Sequence, residues 1–148
     1  GLHEWAMVYR DPNVRHLYVP LRLGRAGTDA VVESQPLRCT HYDAFRFYTP
    51  DAVPLNQLHP TRDTQSDLEQ PGCLHANMDL YKWAHKYHPW VDGDLLADCF
   101  LLAVDLRILD MRGSPYDCSS LGYSAIPIET REGRQDFTAQ QEHAQRDQ

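Results

Sequence analysis

The chain has 148 residues with 14 Lys and Arg against 21 Asp and Glu, a formal charge of −7 and 42% hydrophobic residues. That length buries a real core and that composition excludes intrinsic disorder. The acidic balance argues against a stand-alone grip on nucleic acid, whose phosphates are held mainly by Lys and Arg, although Arg10, Arg15, Arg22, Arg25, Arg38 and Arg46 gather in the first third and leave room for a local basic face.

In chain order, Leu2, Trp5, Ala6 and Tyr9 form the apolar stripe of a short helix over residues 2–9, ended by Asp11-Pro12-Asn13. The chain opens on Gly1 inside this amphipathic segment, which reads as a truncated or processed product whose missing upstream part carries part of the function. Val14 to Leu23, with Pro20 inside it, suits an extended segment at a sheet edge, and Gly24 and Gly27 then break the chain. Thr28 to Ser34 fits either a one-turn helix capped by Thr28 or a short strand through Val31 and Val32. From Leu37 to Tyr48 a strand leads into a helix starting near Thr40, where Thr40 and Asp43 resemble a capping box. Pro50, Pro54, Pro60 and Pro71 punctuate a polar loop over residues 50–72, placed to cover the strings on either side of it.

Asn77 is expected to cap a helix from Met78 to about Tyr87, with Leu80, Trp83, Ala84 and Tyr87 inward and Asp79, Lys82 and Lys86 outward. A buried scaffold helix follows over Asp94 to Arg112, with Leu95, Cys99, Leu102, Leu106 and Leu109 on one face, Asp92 as N-cap and Gly113 after its end. Ser114-Pro115-Tyr116-Asp117 is a turn and Ala125 to Ile128 a short strand. Thr130 caps a polar helix, and residues 140–148 are a fraying tail. The fold class expected is α+β: one compact domain, residues 1–148, helix-rich in its C-terminal half and with a few short strands. No apolar run approaches the roughly 18 residues that span a bilayer, and no secretory leader is present, so a cytoplasmic location without a membrane partner is expected. Four cysteines without a Cys-x-x-Cys pair fit reduced thiols.

Two strings concentrate chemistry-bearing residues: Cys39-Thr40-His41-Tyr42-Asp43-Ala44-Phe45 and Cys73-Leu74-His75-Ala76-Asn77-Met78-Asp79. Each opens with Cys-x-His. Cys39, His41, Cys73 and His75 supply the donors of a Cys2His2 zinc site, although buried thiols packing as small hydrophobes explain the same residues. His41 and Asp43 also begin a two-histidine, one-carboxylate iron site, completed by His75, His85 or His88. His85 and His88 equally fit a solvated face near a helix end. Asp43 among aromatic rings is a candidate general acid or base, with Glu4 and Asp79 as rivals. Asp43 also suits a helix start, and Asp79 with Lys82 a surface ion pair.

The strings Gly1 to Arg10, Leu37 to Pro50, Gly72 to Ala84 and Leu109 to Asp117, together with Pro127-Ile128-Glu129-Thr130, resemble a group of actinobacterial proteins catalogued as 3-methyladenine DNA glycosylases. The likeness covers nearly the whole chain, which on that basis is the C-terminal half of a longer protein. It implies DNA repair: hydrolysis of the N-glycosidic bond to an alkylated purine flipped out of damaged DNA, with rings stacked on the base and a carboxylate activating water. Tyr42, Phe45 and Trp83 would stack, Asp43 would activate water, and no cofactor is required; the partners are damaged DNA and the missing N-terminal half. Two other readings stand beside it: a Cys/His enzyme using zinc or iron on a small molecule, and a non-catalytic module. An open pocket between the two strings favours an enzyme, and a filled core there the module.

Overall fold

The computed structural model describes residues 1–14, 16, 18–70 and 72–146. Arg15 of the expected basic face, Leu17 of the expected extended segment, Pro71 of the proline loop and residues 147–148 of the tail lie outside them. Seven α-helices are described: α1 (His3–Ala6), α2 (Gly24–Ser34), α3 (Tyr42–Phe45), α4 (Gln65–Leu68), α5 (Leu74–Lys86), α6 (Gly93–Arg112) and α7 (Arg131–Arg146). Short 3-10 turns occur at Val53–Leu55 and Ser119–Leu121. α7 continues past residue 140 to Arg146.

The α+β expectation is corrected: among the described residues there is no sheet, only the isolated bridges Leu21–Tyr116 and Leu37–Asn56. The protein is mainly α-helical. Each expected strand finds a substitute for a neighbouring strand. Around Pro20, the Arg22 N–H donates to Pro115 O and the Asp117 N–H to Pro20 O, both at 2.8 Å, and the pairing stops there. At Cys39 a side chain replaces a strand: Asn56 Oδ1 accepts from Cys39 N at 2.7 Å and its Nδ2 donates to Cys39 O at 3.0 Å. Ile126 donates to Arg112 O at 2.7 Å, while Pro127 has no N–H to extend a ladder.

Helix starts differ as well. Gly24 does not break the chain but begins α2 at φ +63°, and Thr28 does not cap it: its hydroxyl donates to Gly24 O at 2.7 Å. His41, not Thr40, caps α3, its Nδ1 accepting from Asp43 N at 3.2 Å. Asn77 does not cap α5, which begins at Leu74, but sits buried in its first turn, donating to Cys73 O at 2.8 Å. Of the side chains expected inward on α5, only Ala84 is buried; Leu80, Trp83 and Tyr87 are exposed. α6 begins at Gly93, one residue before the expected Asp94, and Asp92 caps it as expected, its Oδ1 accepting from Leu95 N at 2.8 Å. Its scaffold face is buried at Leu106 and Leu109 but exposed at Leu95. Thr130 caps α7 by accepting from Gly133 N at 3.0 Å.

Trp5, Val32, Leu37, Leu106, Leu109, Ile126, Ile128 and Phe137 build the core around the last two turns of α6. Trp5 is fully buried and donates its indole N–H to Gly113 O at 2.9 Å, so the polar edge of the largest core ring is satisfied. Arg22 clamps Glu129 with two bonds of 2.8 Å, tying the segment before α2 to the one before α7.

Gly133 presses on backbone. A Cβ there would lie 2.1 Å from Pro127 O and 2.5 Å from its carbonyl carbon. Neither atom belongs to a side chain that can swing away, so α7 itself must shift. Gly133→Ala is expected to cost about 1–3 kcal/mol or more in urea unfolding. Wild-type stability in that variant would contradict this packing of α7 on residue 127.

Candidate active site

A cavity of about 520 Å³ opens to solvent between the two strings, where the N-terminal end of α5 and the C-terminal end of α6 meet α1, α7 and the segment before α3. Its polar lining includes His3, Cys39, His41, Cys73, His75 and Asp110; Leu106, Leu109, Ile128 and Phe137 supply apolar wall, and Arg38 and Arg134 contribute cationic side chains. The volume lies in the range of small-molecule and cofactor sites.

All four Cys/His residues singled out from the sequence line this cavity. They are not arranged as a ligand set. His41 uses both ring nitrogens: Nδ1 accepts from Asp43 N, which leaves the proton on Nε2, facing Asp79 Oδ2 at 3.3 Å. Asp79 is in turn held by Gln65 Nε2 at 2.8 Å and by Lys82. Burial raises the thiols of Cys39 and Cys73 above their ordinary value, and for Cys73 this outweighs the N–H groups of Ala76 and His75 that point at its sulfur. At neutral pH both are therefore protonated thiols rather than ready thiolate ligands or nucleophiles.

The centre of charge in the cavity lies elsewhere. Asp110, buried on α6, faces His3 Nε2 at 3.1 Å and Arg107 Nη1 at 3.0 Å. The same Arg107 nitrogen meets Glu4 Oε1 at 2.7 Å. Burial opposes ionisation of Asp110, but the His3 imidazole, then the terminal ammonium of Gly1 and the Arg107 guanidinium, more than offset it and hold the carboxyl well below the usual carboxylate range. His75 moves the other way for a base. Burial, reinforced by His3, lowers its pKa to about 4, so it is neutral at pH 7. Its ring lies 5.1 Å from that of His3 and 5.5 Å from that of His41, centroid to centroid.

The remaining sequence candidates stand outside the cavity. Asp43 bonds Arg46 Nε at 3.0 Å on the surface. Tyr42 lies under Arg62, 5.3 Å from its ring centroid, and Phe45 packs against Tyr48 and His59. Trp83, half exposed on α5, carries Lys86 4.7 Å from its ring centroid. Glu4 is buried behind the wall and Asp79 sits one residue back, behind His41.

Sequence reading missed His3, Arg107 and Asp110. The available signal was a carboxylate directly after Leu109 on an apolar helical face, with an arginine one turn earlier.

Among the described residues, His3, Glu4 and Asp110 bring one donor atom each within 4.8 Å of one another. Donors at about 2.1 Å from a metal lie at most about 4.2 Å apart, so sub-ångström movement would close this set on a cation. Arg107 Nη1 lies against both carboxylates and would have to leave, and its side chain is 40% exposed. Among the described residues no helix is long and apolar enough to cross a membrane.

Comparison with known proteins adds no name: no protein-family model, no curated protein and no solved structure matches the chain.

Proposed function

We propose that this cavity is the active site of a hydrolase, and that the substrate is an alkylated purine nucleotide in damaged DNA from which the base is released. The observation that carries the enzymatic reading is an open cavity, in place of a filled core, with an ionised buried carboxylate in its wall. The substrate class rests on the family resemblance and on charge. A purine alkylated at N3 is cationic while it is joined to the sugar, and the wall offers it one anion, Asp110, shared with His3 and Arg107, beside neutral His75 and two neutral thiols. Arg38 and Arg134 suit the adjoining phosphates.

In this reading water attacks the sugar carbon C1′ as the bond from C1′ to the purine nitrogen breaks. The bonding pair goes to the base and neutralises it, so no general acid is needed for departure. Asp110, held ionised, stabilises the positive charge that grows on the sugar as the bond breaks, the proton of the water leaves to solvent, and Asp110 thus takes the place of Asp43 as the carboxylate that serves the reaction. The cytoplasmic location, and an upstream half of the polypeptide supplying further DNA contacts, belong to the same proposal.

Single-turnover release of 3-methyladenine from methylated duplex DNA tests it. Release above the spontaneous rate is expected, and Asp43→Asn should leave it unchanged. A rate equal to background, with the upstream half supplied, would remove the glycosylase reading.

One arrangement favours a second reading, a metal-dependent enzyme: the His3, Glu4 and Asp110 donors. It is decided by elemental analysis of protein purified without a metal-binding tag. Stoichiometric zinc or iron lost in His3→Ala but kept in Cys73→Ser would support this set. Loss in Cys73→Ser would point back to the cysteines, and metal-free folded protein would end the metal reading.

A further inference from the structure

The apolar residues of α6 are not confined to the core side. Leu106 and Leu109 are buried, yet Ala97, Leu101, Val104 and Ile108, spaced by four, three and four residues, form a second stripe on another side of the helix. Leu101 is 58% exposed there. An apolar stripe on a second side of a helix calls for a second packing partner. Within the chain α6 packs mainly on α5 and, near its C-terminal end, on α7. Nothing described covers the other sides.

The partner helix shares the property. Leu80, Trp83 and Tyr87 lie on one stripe of α5 and its end, all exposed, and Trp90 in the turn to α6 is 90% exposed. Leu95 and Phe100 extend the apolar surface onto α6, with Phe100 packed on Tyr81 at 5.3 Å between ring centroids. At about 200 Å² per large side chain these residues present on the order of 800 Å² of accessible surface. Summed over these sides of the hairpin, that is about one partner's share of a standard interface.

We propose that the outer end of the α5–α6 hairpin is the interface with a second copy of this chain, two hairpins packing across a two-fold axis as a four-helix bundle. Charge selects the second copy over an arbitrary apolar partner. Exposed Asp94, Asp98 and Asp105 make the outer part of α6 acidic, while exposed Lys86 puts a cation on the outer end of α5, Lys82 being paired with Asp79. A two-fold axis that sets α5 of one copy against α6 of the other joins Lys86 to aspartates twice, since an isologous contact repeats every pairing. Setting α6 against α6 would instead oppose aspartates. The interface leaves the cavity free, because the lining residues of α6 are Leu106, Leu109 and Asp110, toward its other end.

Sedimentation equilibrium of the 148-residue chain across micromolar concentrations tests this, with circular dichroism as the control for folding. The wild type should be a closed dimer. Leu101→Asn and Leu80→Asn, at positions already exposed in one copy, should keep the helix signal and weaken dimerisation roughly tenfold or more, because each would replace a buried apolar contact with an unsatisfied amide. A wild-type monomer, a dimer that neither variant weakens, or open-ended polymers would each overturn the proposal.

Discussion

Replacing Asp110 should have the largest effect of any single change in the cavity, and the two obvious variants should separate its two roles. Asp110→Ala removes a buried anion that faces both His3 and Arg107. Arg107 keeps Glu4, but His3 loses its carboxylate partner and a void opens beside Leu109 and Leu106. Breaking a buried pair in this way costs about 3–5 kcal/mol, read as a lower urea midpoint with an unchanged slope. Asp110→Asn keeps the shape and an oxygen that accepts from His3 or Arg107, so its loss of stability should be clearly smaller. It carries no negative charge to set against a cationic transition state. If base release is the reaction, its single-turnover rate should fall by about 100-fold or more, the scale of one lost preorganised electrostatic stabiliser. An Asn variant that folds and releases base at the wild-type rate would show that Asp110 does not serve the reaction. A loss of stability in Asp110→Ala below about 1 kcal/mol would contradict the buried ion-pair network itself.

The sequence made the neighbourhood of this site legible better than its chemistry. Cys-x-His in two strings marked the walls of the cavity, and Cys39, His41, Cys73 and His75 do line it. What each side chain does depends on long-range partners that spacing does not reveal. His41 is committed to the α3 N-terminus and to Asp79, and Asp43, conspicuous among aromatic rings in the sequence, turns outward to Arg46. Asp110 and His3 are 107 residues apart, and no local pattern announces their contact. The same logic separates the helices from the strands. α6 was readable from a long apolar period and a capping aspartate, both local signals. The strand candidates were short and apolar, and Asn56 and Pro115 meet their backbone groups without a sheet. On α5, apolar period was right about which residues share a stripe and silent about whether this chain covers it: Leu80, Trp83 and Tyr87 line up, and none is buried.

Acidification should weaken the fold in two successive ranges, because His75 and Asp110 titrate against folding by different routes. His75 has a pKa of about 4 in the folded protein against an ordinary value of 6.5. As pH falls through 6.5 the unfolded chain takes up a proton that the folded chain refuses, so the unfolded state gains. The loss grows until the folded imidazole also protonates near pH 4 and is then constant. A difference of about 2.5 units at 1.36 kcal/mol each gives a loss of about 3 kcal/mol across this range. Asp110 acts below it. Its folded pKa is depressed, so its contribution is fully present above 3.8 and is lost as pH falls further, when the unfolded carboxylate protonates first. Urea unfolding at a series of pH values should therefore show a slope already between pH 6.5 and 4, where native carboxylate pairs alone predict little change. His75→Gln removes the titrating ring and should flatten that upper range while leaving the decline below pH 4. A wild-type profile that is flat from 6.5 to 4, or a slope there that survives His75→Gln, would mean that His75 is not held neutral by burial in the cavity wall. In that case the cavity would present a cation to its ligand between about pH 4 and 6.5, and the electrostatic argument for a cationic purine would hold only above that range.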